Sequence, residues 1–315
     1  MKLGLLSTAK INDALLEAPP PEVEIAAVAS RDAARAQAYA GEHGIARSHG
    51  SYEALLDDDG IDAVYIPLPN GMHHEWTLKA IEAGKHVLVE KPYSRRSAEV
   101  EEAWDAAARA GVVVMEAFMW RHHPQAAVAR SLVEDGRIGR LRDIRTTFSF
   151  PLRDLSNIRM VADLDGGALM DIGCYCISGA RLLGGEPEHV FGEQVTGPTG
   201  VDVDFYGTLR FPGDVVAQFD ASFTLPDRQR MEAVGEDGTL VLEAPWRPDL
   251  GGRVLLDGKE VDIPESNSYT LELVNFAAAI DGQAEPLLGR DDALAQARVI
   301  EALYRSADSG EAVKL

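Results

Sequence analysis

The sequence predicts an α/β protein of two domains, a doubly wound parallel sheet followed by an α+β domain with a large, mostly antiparallel open sheet. Residues 1–118 alternate short apolar runs with single helical patterns, as expected of right-handed crossovers in a parallel sheet. Residues 119–315 contain a long run of consecutive strand patterns, which is typical of an antiparallel sheet. The length of 315 residues also exceeds what one hydrophobic core usually organises.

The N-terminal domain, residues 1–118, is predicted to alternate strands with helices. The strands are expected at residues 3–6, 23–29, 62–67, 86–89 and 112–115. The helices are expected at residues 32–43, 73–83 and 97–110, each followed by a glycine at position 44, 84 or 111. Asp32 is expected to cap the first of these helices. One helix between successive strands predicts a sheet that is covered on both faces.

The C-terminal domain, residues 119–315, is predicted to contain helices at residues 124–134, 168–183, 269–281 and 291–306, with a strand at residues 142–150. Strand patterns continue to about residue 261. In one of them, the apolar set Val203, Phe205, Leu209 and Phe211 alternates with the polar set Asp204, Tyr206, Thr208 and Arg210. This period of two, joined through a Pro-Gly-Asp turn to residues 215–223, predicts a hairpin with one buried face.

The acidic composition excludes several classes of protein. The chain has 30 Lys and Arg residues against 51 Asp and Glu residues, so its formal net charge of −21 predicts neither nucleic acid nor a membrane surface as a partner. No apolar stretch is long enough for a membrane span, and the run at residues 3–6 is too short for a secretory signal. Cys174 and Cys176 give no disulfide framework, which indicates a reducing compartment. We therefore expect a soluble cytoplasmic protein.

The turn after the first strand is a candidate phosphate-binding turn. A dinucleotide-binding unit needs small residues there, so that the backbone can approach the pyrophosphate at a helix N-terminus. The three glycine positions of the usual fingerprint are occupied by Ser7, Ala9 and Asn12, and this pattern alone fits an ordinary β–α turn equally well. The expected contacts are Ser7, Thr8, Ala9, Lys10 and Ile11.

The end of the second strand indicates which cofactor the chain would take. NAD enzymes place a carboxylate there for the ribose 2′-hydroxyl, whereas this chain has Ser30 and Arg31. A hydroxyl and a guanidinium suit a 2′-phosphate. We therefore predict NADP, with NAD less favoured; the alternative is that Arg31 is a solvated surface residue.

Three further segments carry a family resemblance. They are Tyr65-Ile-Pro-Leu-Pro-Asn70-Gly-Met-His73, Gly84-Lys-His-Val-Leu-Val-Glu90-Lys91-Pro92 and Gly166-Gly-Ala-Leu-Met-Asp171-Ile-Gly173-Cys-Tyr175. Their order and spacing resemble the Gfo/Idh/MocA family of oxidoreductases, in the branch of NADP-dependent aldose (D-xylose) 1-dehydrogenases and dimeric dihydrodiol dehydrogenases. The resemblance covers nearly the whole chain. It implies a Rossmann domain and a second domain whose open sheet serves substrate binding and dimerisation, hence a homodimer or higher homo-oligomer.

Lys91 is a candidate catalytic residue. It follows the strand at residues 86–89 and so lies at a carboxyl end of the sheet, where open α/β folds bind ligands. Its positive charge can favour an oxyanion as a hydride leaves. The alternative role is an ion pair with Glu90. The resemblance also implies a cis peptide before Pro92, which the sequence alone makes improbable.

Asp171 and Tyr175 lie four residues apart, on one face of the helix predicted at residues 168–183. Many family members have His where this chain has Tyr175, so the resemblance implies that Tyr175 is the proton-transfer group, as in the aldose and dihydrodiol branch. An adjacent Lys91 cation favours the tyrosinate. Asp171 is expected to orient the substrate or Lys91. The alternative is that Tyr175 is a core aromatic residue.

The resemblance implies further cofactor contacts, which are Pro67, Asn70, His73, Glu90, Trp120 and Arg121. Helix capping is an alternative role for Asn70 and His73, and an ion pair with Glu116 is one for Arg121. No metal is expected, since the adjacent histidines at positions 73–74 and 122–123 point apart and have no carboxylates at zinc spacing.

Together these features predict an NADP-dependent dehydrogenase that oxidises a sugar hydroxyl, C1 of an aldose such as D-xylose or D-glucose, to a lactone. Alternative substrates are a trans-dihydrodiol, an inositol or another cyclic polyol. A different class of protein, a nucleotide-sensing regulator without turnover, would have no reason to keep both Lys91 and Tyr175.

Overall fold

A computed structural model describes all 315 residues and shows two sheets in two compact units. The first unit comprises Met1–Ser94, Ala98–Met119 and Asn267–Leu294, and the second comprises Arg95–Ser97, Trp120–Ser266 and Ala295–Leu315. The division therefore differs from a single cut after residue 118, because Arg95–Ser97 belong to the second unit, and Met119 and Asn267–Leu294 belong to the first.

The first unit is built on a parallel sheet of six strands in the order β3-β2-β1-β4-β5-β6, which confirms the predicted doubly wound sheet. Its strands are β1 (Lys2–Leu5), β2 (Glu24–Ala29), β3 (Arg47–His49), β4 (Ala63–Ile66), β5 (His86–Glu90) and β6 (Val114–Ala117). The strand β3 was missed because its three residues, Arg-Ser-His, carry no apolar run.

Helices flank this sheet, and elements are numbered in chain order throughout. They are α1 (Asn12–Glu17), α2 (Ala33–His43), α3 (Tyr52–Leu56), α4 (His73–Glu82), α5 (Ser97–Ala110) and α9 (Ser268–Ile280). The predicted limits of α2 are explained by its caps. The Asp32 carboxylate accepts hydrogen bonds from the amides of Ala34 and Arg35, and Gly44 ends the helix at φ +66°. The sheet is apolar on both faces, since all four residues of β4 are buried.

The second unit is built on an open sheet of nine strands, the C-terminal sheet, in the order β14-β13-β12-β11-β7-β10-β9-β8-β15. Only the β7–β10 pair is parallel, so the prediction of a mostly antiparallel sheet is confirmed. Its strands are β7 (Leu141–Ser149), β8 (His189–Thr196), β9 (Asp202–Phe211), β10 (Val215–Ser222), β11 (Arg228–Gly235), β12 (Thr239–Glu243), β13 (Arg253–Leu256), β14 (Lys259–Val261) and β15 (Val313–Lys314).

The remaining helices are α6 (Met119–His122), α7 (Pro124–Glu134), α8 (Cys174–Gly184) and α10 (Arg290–Ser309). Helix α8 packs against β7 and β10. The predicted apolar face of β9 is buried, and the opposite face is open at Tyr206. Asp204 on that opposite face is buried as well, and the hydroxyls of Ser222 and Thr224 donate hydrogen bonds to its carboxylate, which offset the cost of burying it. No helix combines the length and apolar composition that a membrane crossing requires.

Candidate active site

In the first unit, the candidate cofactor residues meet at one edge of the parallel sheet. Because β1, β2, β4 and β5 run in the same direction, their carboxyl ends share this edge, with β1 and β4 at its centre. The strand order reverses between β1 and β4, and such a switch point is where doubly wound sheets bind nucleotides. The predicted residues that follow these strands are Ser7, Thr8, Ala9, Lys10, Ile11, Ser30, Arg31, Pro67, Asn70, Glu90 and Lys91.

The turn after β1 is held by hydrogen bonds to its own neighbours. The Ser7 hydroxyl donates to the carbonyl of Pro67 at 3.5 Å, and the buried Asn12 amide donates to the carbonyl of Ser7 at 2.8 Å. Asn12, at the third fingerprint position, therefore ties the start of α1 back to the strand. The close packing explains a glycine in the strand, because a Cβ on Gly4 would lie 2.9 Å from Leu55.

The end of β2 offers donors to an anion. Lys10 and Arg31 are exposed and make no ion pair. The Asp32 carboxylate is engaged in capping α2, which leaves the Ser30 hydroxyl and the Arg31 guanidinium at the strand end. A hydroxyl and a free guanidinium, with no unengaged carboxylate beside them, fit a ribose 2′-phosphate.

His73, which is predicted to contact the cofactor, is buried beneath the edge of the sheet, and its role there remains a prediction. Its side chain has no exposed surface, and its ring nitrogens lie 3.0 Å from the carbonyl of Pro92 and 2.8 Å from that of Leu68. Burial and the nearby Lys91 charge lower the pKa of His73 to about 4, so the ring is neutral. The neutral ring has one N–H, so it donates to one of these carbonyls and packs against the other, between the loop after β4 and the segment that contains Lys91. The Lys91–Pro92 peptide is cis, as the resemblance implied.

Glu90 is fixed at the end of β5 by a buried tyrosine that sequence reasoning missed. The Tyr65 hydroxyl donates a short hydrogen bond to the Glu90 carboxylate, whose second oxygen accepts from the Lys91 amide at 3.3 Å. Burial and the Glu90 charge raise the pKa of Tyr65 well above its usual value, so Tyr65 remains a donor. The same two causes raise the pKa of the fully buried Glu272 well above its usual value. Tyr65 and Glu272 each lie in an apolar run of the sequence, so no local polar pattern predicted their interaction with Glu90.

Asn70 begins a short 3₁₀ turn, Asn70–Met72, that precedes α4. The alternative role as a side-chain cap is wrong, because α4 has no side-chain cap hydrogen bond. Asn70 is half-buried at the edge of the sheet where the parallel strands have their carboxyl ends. Its assignment to a cofactor contact remains a prediction.

In the second unit, Asp171 and Tyr175 are carried by one continuous helical segment. The segment begins with a π turn, Leu169–Gly173, and continues as α8, so Asp171 lies in the π turn and Tyr175 in the first turn of α8. Single π turns occur frequently at functional sites. The predicted spacing on a regular α-helix is therefore wrong in detail, although both residues remain on one segment.

The Asp171 side chain is oriented by an arginine that the sequence did not reveal. The Arg159 guanidinium donates to the Asp171 carboxylate at 2.6 Å. The Tyr175 ring is half-buried and packs against Phe148 and Trp246, with centroids 5.5 Å and 6.0 Å away. Tyr175 is thus flanked by aromatic rings while part of it stays exposed.

The two glycines before this segment are required by close contacts. A Cβ on Gly166 would lie 2.5 Å from the carbonyl oxygen of Arg159, and one on Gly167 would collide with the Asp202 carboxylate. Gly167 also has φ +129°, which side chains rarely adopt. The Gly-Gly pair therefore allows the turn to pass close to its neighbours as it enters the helix.

The Trp120 side chain is fully buried in the second unit, with its ring centroid 5.1 Å from that of Trp246, and its assignment as a cofactor contact remains a prediction. Arg121 donates a hydrogen bond to the Ser178 hydroxyl at 3.3 Å and lies 5.8 Å from the Trp120 ring centroid. The structure contains no cluster of three or more His, Cys, Asp or Glu side chains that could hold a metal ion. Cys174 and Cys176 are buried free thiols.

Comparisons with known proteins agree with this geometry. Residues 6–118 match a family model described as an oxidoreductase family with an NAD-binding Rossmann fold, and residues 126–241 match the GFO/IDH/MocA C-terminal domain. The D-xylose 1-dehydrogenase (NADP(+)) 2 of Haloferax volcanii is 39% identical, with 100% of each chain covered. The trans-1,2-dihydrobenzene-1,2-diol dehydrogenase of Xenopus laevis is 32% identical, with 88% of this chain and 84% of that protein covered.

Among solved structures, the 3-ketoreductase KijD10 of Actinomadura kijaniata, in complex with NADP and TDP-benzene, superposes with a TM-score of 0.91 at 30% identity, and 97% of each chain is covered. The family matches cover most of the chain, and they coincide with the sheet order and the segments that suggested the resemblance. The chain therefore belongs to the Gfo/Idh/MocA family of oxidoreductases.

Proposed function

We propose that the protein is an NADP-dependent dehydrogenase that oxidises C1 of an aldose, such as D-xylose or D-glucose, to a lactone. The observation that carries the proposal is the position of Lys91 at the edge formed by the carboxyl ends of the parallel strands, directly after β5. Its backbone amide donates to Glu90, and the carbonyl of the next residue, Pro92, contacts the His73 ring. The full-length similarity to an NADP-dependent D-xylose dehydrogenase supports the choice of substrate class.

The free donors at the end of β2 support NADP as the cofactor. Arg31 would bind the 2′-phosphate together with Ser30, and the turn from Ser7 to Ile11 would hold the pyrophosphate. The bound nicotinamide would supply the hydride-accepting chemistry. The remaining steps would be carried out by side chains of the protein itself.

In the proposed reaction, the Tyr175 tyrosinate, favoured by the Lys91 ammonium, takes the proton of the substrate hydroxyl and becomes a neutral tyrosine, and the same ammonium stabilises the developing alkoxide. Asp171, held by Arg159, orients the sugar through hydrogen bonds. The half-buried ring of Phe148 would pack against the apolar face of the substrate ring, and the fully buried Trp246 would support Tyr175 from behind.

Steady-state NADPH production with a panel of aldoses and diols tests the substrate class, and two variants test the residues. Lys91→Ala and Tyr175→Phe should each lower kcat at least about 100-fold, because general acid–base catalysis contributes that much, while the Kd for NADP stays near the wild-type value. The matched control for the lysine variant is Lys79→Ala on α4, whose ammonium pairs with Glu75 away from the carboxyl ends of the strands. Wild-type kcat in either test variant would refute the proposed roles.

A trans-dihydrodiol or another cyclic polyol is the second candidate substrate. The aromatic surroundings of Tyr175 suit a carbocyclic ring, and a trans-dihydrodiol dehydrogenase is among the relatives. Turnover of trans-dihydrobenzenediol with a higher kcat/KM than D-xylose would favour this substrate over an aldose. Absence of NADPH production with every member of the panel would favour a regulator over an enzyme.

We further propose a cytoplasmic homodimer formed through the open face of the C-terminal sheet. This face exposes Phe191 and Tyr206 beside charged and polar side chains of β7, β10 and β11. Exposed aromatic groups with a polar surround are typical of an association surface. The free, buried thiols of Cys174 and Cys176 agree with a reducing compartment.

A further inference from the structure

A buried carboxylate is placed against the start of the helical segment that carries Asp171 and Tyr175. Asp202, the first residue of β9, is only 5% exposed. One of its oxygens accepts a hydrogen bond from the Leu169 amide at 2.7 Å, and the other accepts one from the Tyr304 hydroxyl of α10 at 2.9 Å. Leu169 is the first residue of the π turn, so Asp202 satisfies an amide that the helix itself leaves unpaired.

The backbone next to the Asp202 carboxylate leaves room for it, because the residue that precedes Ala168 is a glycine. A Cβ on Gly167 would occupy the position of a carboxylate oxygen of Asp202, and Gly167 has the positive φ that glycine tolerates best. Ala168 and Ile172 of the same segment pack in an apolar cluster with Val201 and Val203, the neighbours of Asp202 in sequence. The Asp202 carboxylate therefore connects the π turn that precedes α8 to β9, and apolar side chains pack around this connection.

Charged groups on two further segments face the same position. The Arg95 guanidinium lies 4.0 Å from the centroid of the Tyr304 ring and 3.7 Å from the Asp165 carboxylate, which also pairs with Arg96 at 3.0 Å. Burial raises the pKa of Asp202 to about 6, and this rise is opposed by the two hydrogen bonds and by the Arg95 charge. Asp202 is consequently ionised at neutral pH and becomes protonated in mildly acidic solution.

We infer that Asp202 is a positioning residue, whose carboxylate anchors the Leu169 amide and thereby holds the π turn with Asp171 and the first turn of α8 with Tyr175. The inference rests on the proposed catalytic function of Asp171 and Tyr175. Loss of the carboxylate leaves the Leu169 amide without its partner and loosens the segment. The expected consequence is a lower kcat with unchanged NADP affinity, because the first unit does not contribute to this anchor.

Amide hydrogen exchange of residues 168–173 measures the anchor without reference to activity. In Asp202→Ala, exchange of this segment should be at least about tenfold faster than in the wild type, and Asp202→Asn should restore part of the protection, because its amide oxygen can still accept a hydrogen bond. Asp204→Ala is the matched control, since Asp204 is a buried carboxylate of the same strand whose partners are Ser222 and Thr224. Equal exchange rates in Asp202→Ala and this control would overturn the inference.

The pH profile of kcat separates positioning from a general structural role. Wild-type kcat should fall as the pH drops through about 6, the pKa of Asp202, and this limb should be absent in Asp202→Asn. Tyr304→Phe keeps the ring that packs against Arg95 and Phe205 but removes a donor to the carboxylate, so the limb should move to higher pH. This variant also provides a test if Asp202→Ala does not fold. A limb that stays in place in both Asp202→Asn and Tyr304→Phe would contradict the inference.

Failure of the anchor and failure of the proposed function give different results. If Tyr175→Phe is inactive but Asp202→Ala retains wild-type kcat, the positioning role is wrong and the catalytic role stands. If Tyr175→Phe retains wild-type kcat, the catalytic role is wrong, and the exchange rates of residues 168–173 alone decide whether Asp202 holds the segment.

Discussion

At the scale of single residues, several side chains near the proposed site act on backbone rather than on ligand. The His73 ring lies between two carbonyls and donates to one of them, Asn12 donates to the carbonyl of Ser7, and Asp202 accepts from the Leu169 amide. Each of these side chains is buried, so the hydrogen bonds that it makes offset part of the free-energy cost of removing a polar group from water. Their common effect is to fix the loops from which the proposed catalytic and cofactor-binding residues extend.

Arg31 gives a prediction at this scale. Arg31→Ala should raise the KM for NADP about 10-fold or more and leave the KM for NAD nearly unchanged, because only NADP has a 2′-phosphate and a hydrogen bond to a charged group contributes about 1.5–3 kcal/mol. Arg35→Ala on α2, another exposed arginine four residues on, should change neither KM. A parallel rise of both KM values would show that Arg31 does not contact the 2′-phosphate.

At the scale of elements, caps and turns explain where helices begin. Asp32 caps α2 by accepting two amides, as its place before an alanine-rich helix predicts. The segment before α8 begins differently, with two glycines and a π turn, and its leading amide is satisfied by Asp202 from a distant strand. The first cap is local and can be read from sequence, whereas the second depends on tertiary contacts.

The cap of α2 can be tested separately from the cofactor site. Asp32→Ala should lower the free energy of unfolding by about 1 kcal/mol, because two amides at the helix start lose their acceptor. Urea denaturation followed by circular dichroism measures this change. Glu42→Ala, an exposed position near the other end of α2, should leave the unfolding free energy within about 0.5 kcal/mol of the wild type. A loss no larger than that of the control would show that the cap adds no stability.

At the scale of the whole molecule, the net charge of −21 sets the background against which an anionic cofactor must bind. Many arginines of the chain are engaged in ion pairs with Asp or Glu, including Arg47, Arg130 and Arg253. Lys10 and Arg31 are exceptions, since both are exposed at the edge formed by the carboxyl ends of the parallel strands and neither has an acidic partner. The acidic excess is thus balanced locally where the cofactor phosphates are proposed to lie.

The proposed dimer gives the prediction at this scale. Phe191→Glu should shift the protein from dimer to monomer in light scattering coupled to size-exclusion chromatography, because a carboxylate would be buried in the association surface. Leu250→Glu, at a more exposed position outside the C-terminal sheet, should leave the mass unchanged. A monomeric wild type, or a dimer that tolerates Phe191→Glu, would refute association through this face.

Much of the fold and part of the site follow from local signals. Apolar runs with glycine stops predicted most strands and helices of the first unit, and the segment ending in Glu90-Lys91-Pro92 placed Lys91 at the carboxyl end of a strand. The polar strand β3 and the short helices α1 and α3 were missed, since a few residues carry no clear period. The full burial of His73 and Trp120 was not predicted, because the sequence does not show whether a polar or aromatic side chain near a ligand-binding edge is exposed.

The sequence by itself determined the fold class, the family and the residue types at the strand ends, because periodicity, turn residues and spacing are properties of neighbours along the chain. Only the tertiary structure decided which buried side chains hold these strand-end residues in position. Tyr65 meets Glu90, Arg159 meets Asp171, and Asp202 meets Leu169 across separations that no local pattern records. The physical reason is that burial and hydrogen-bond partners arise from the packing of distant segments, and these two quantities set the charge and orientation of the groups at a site.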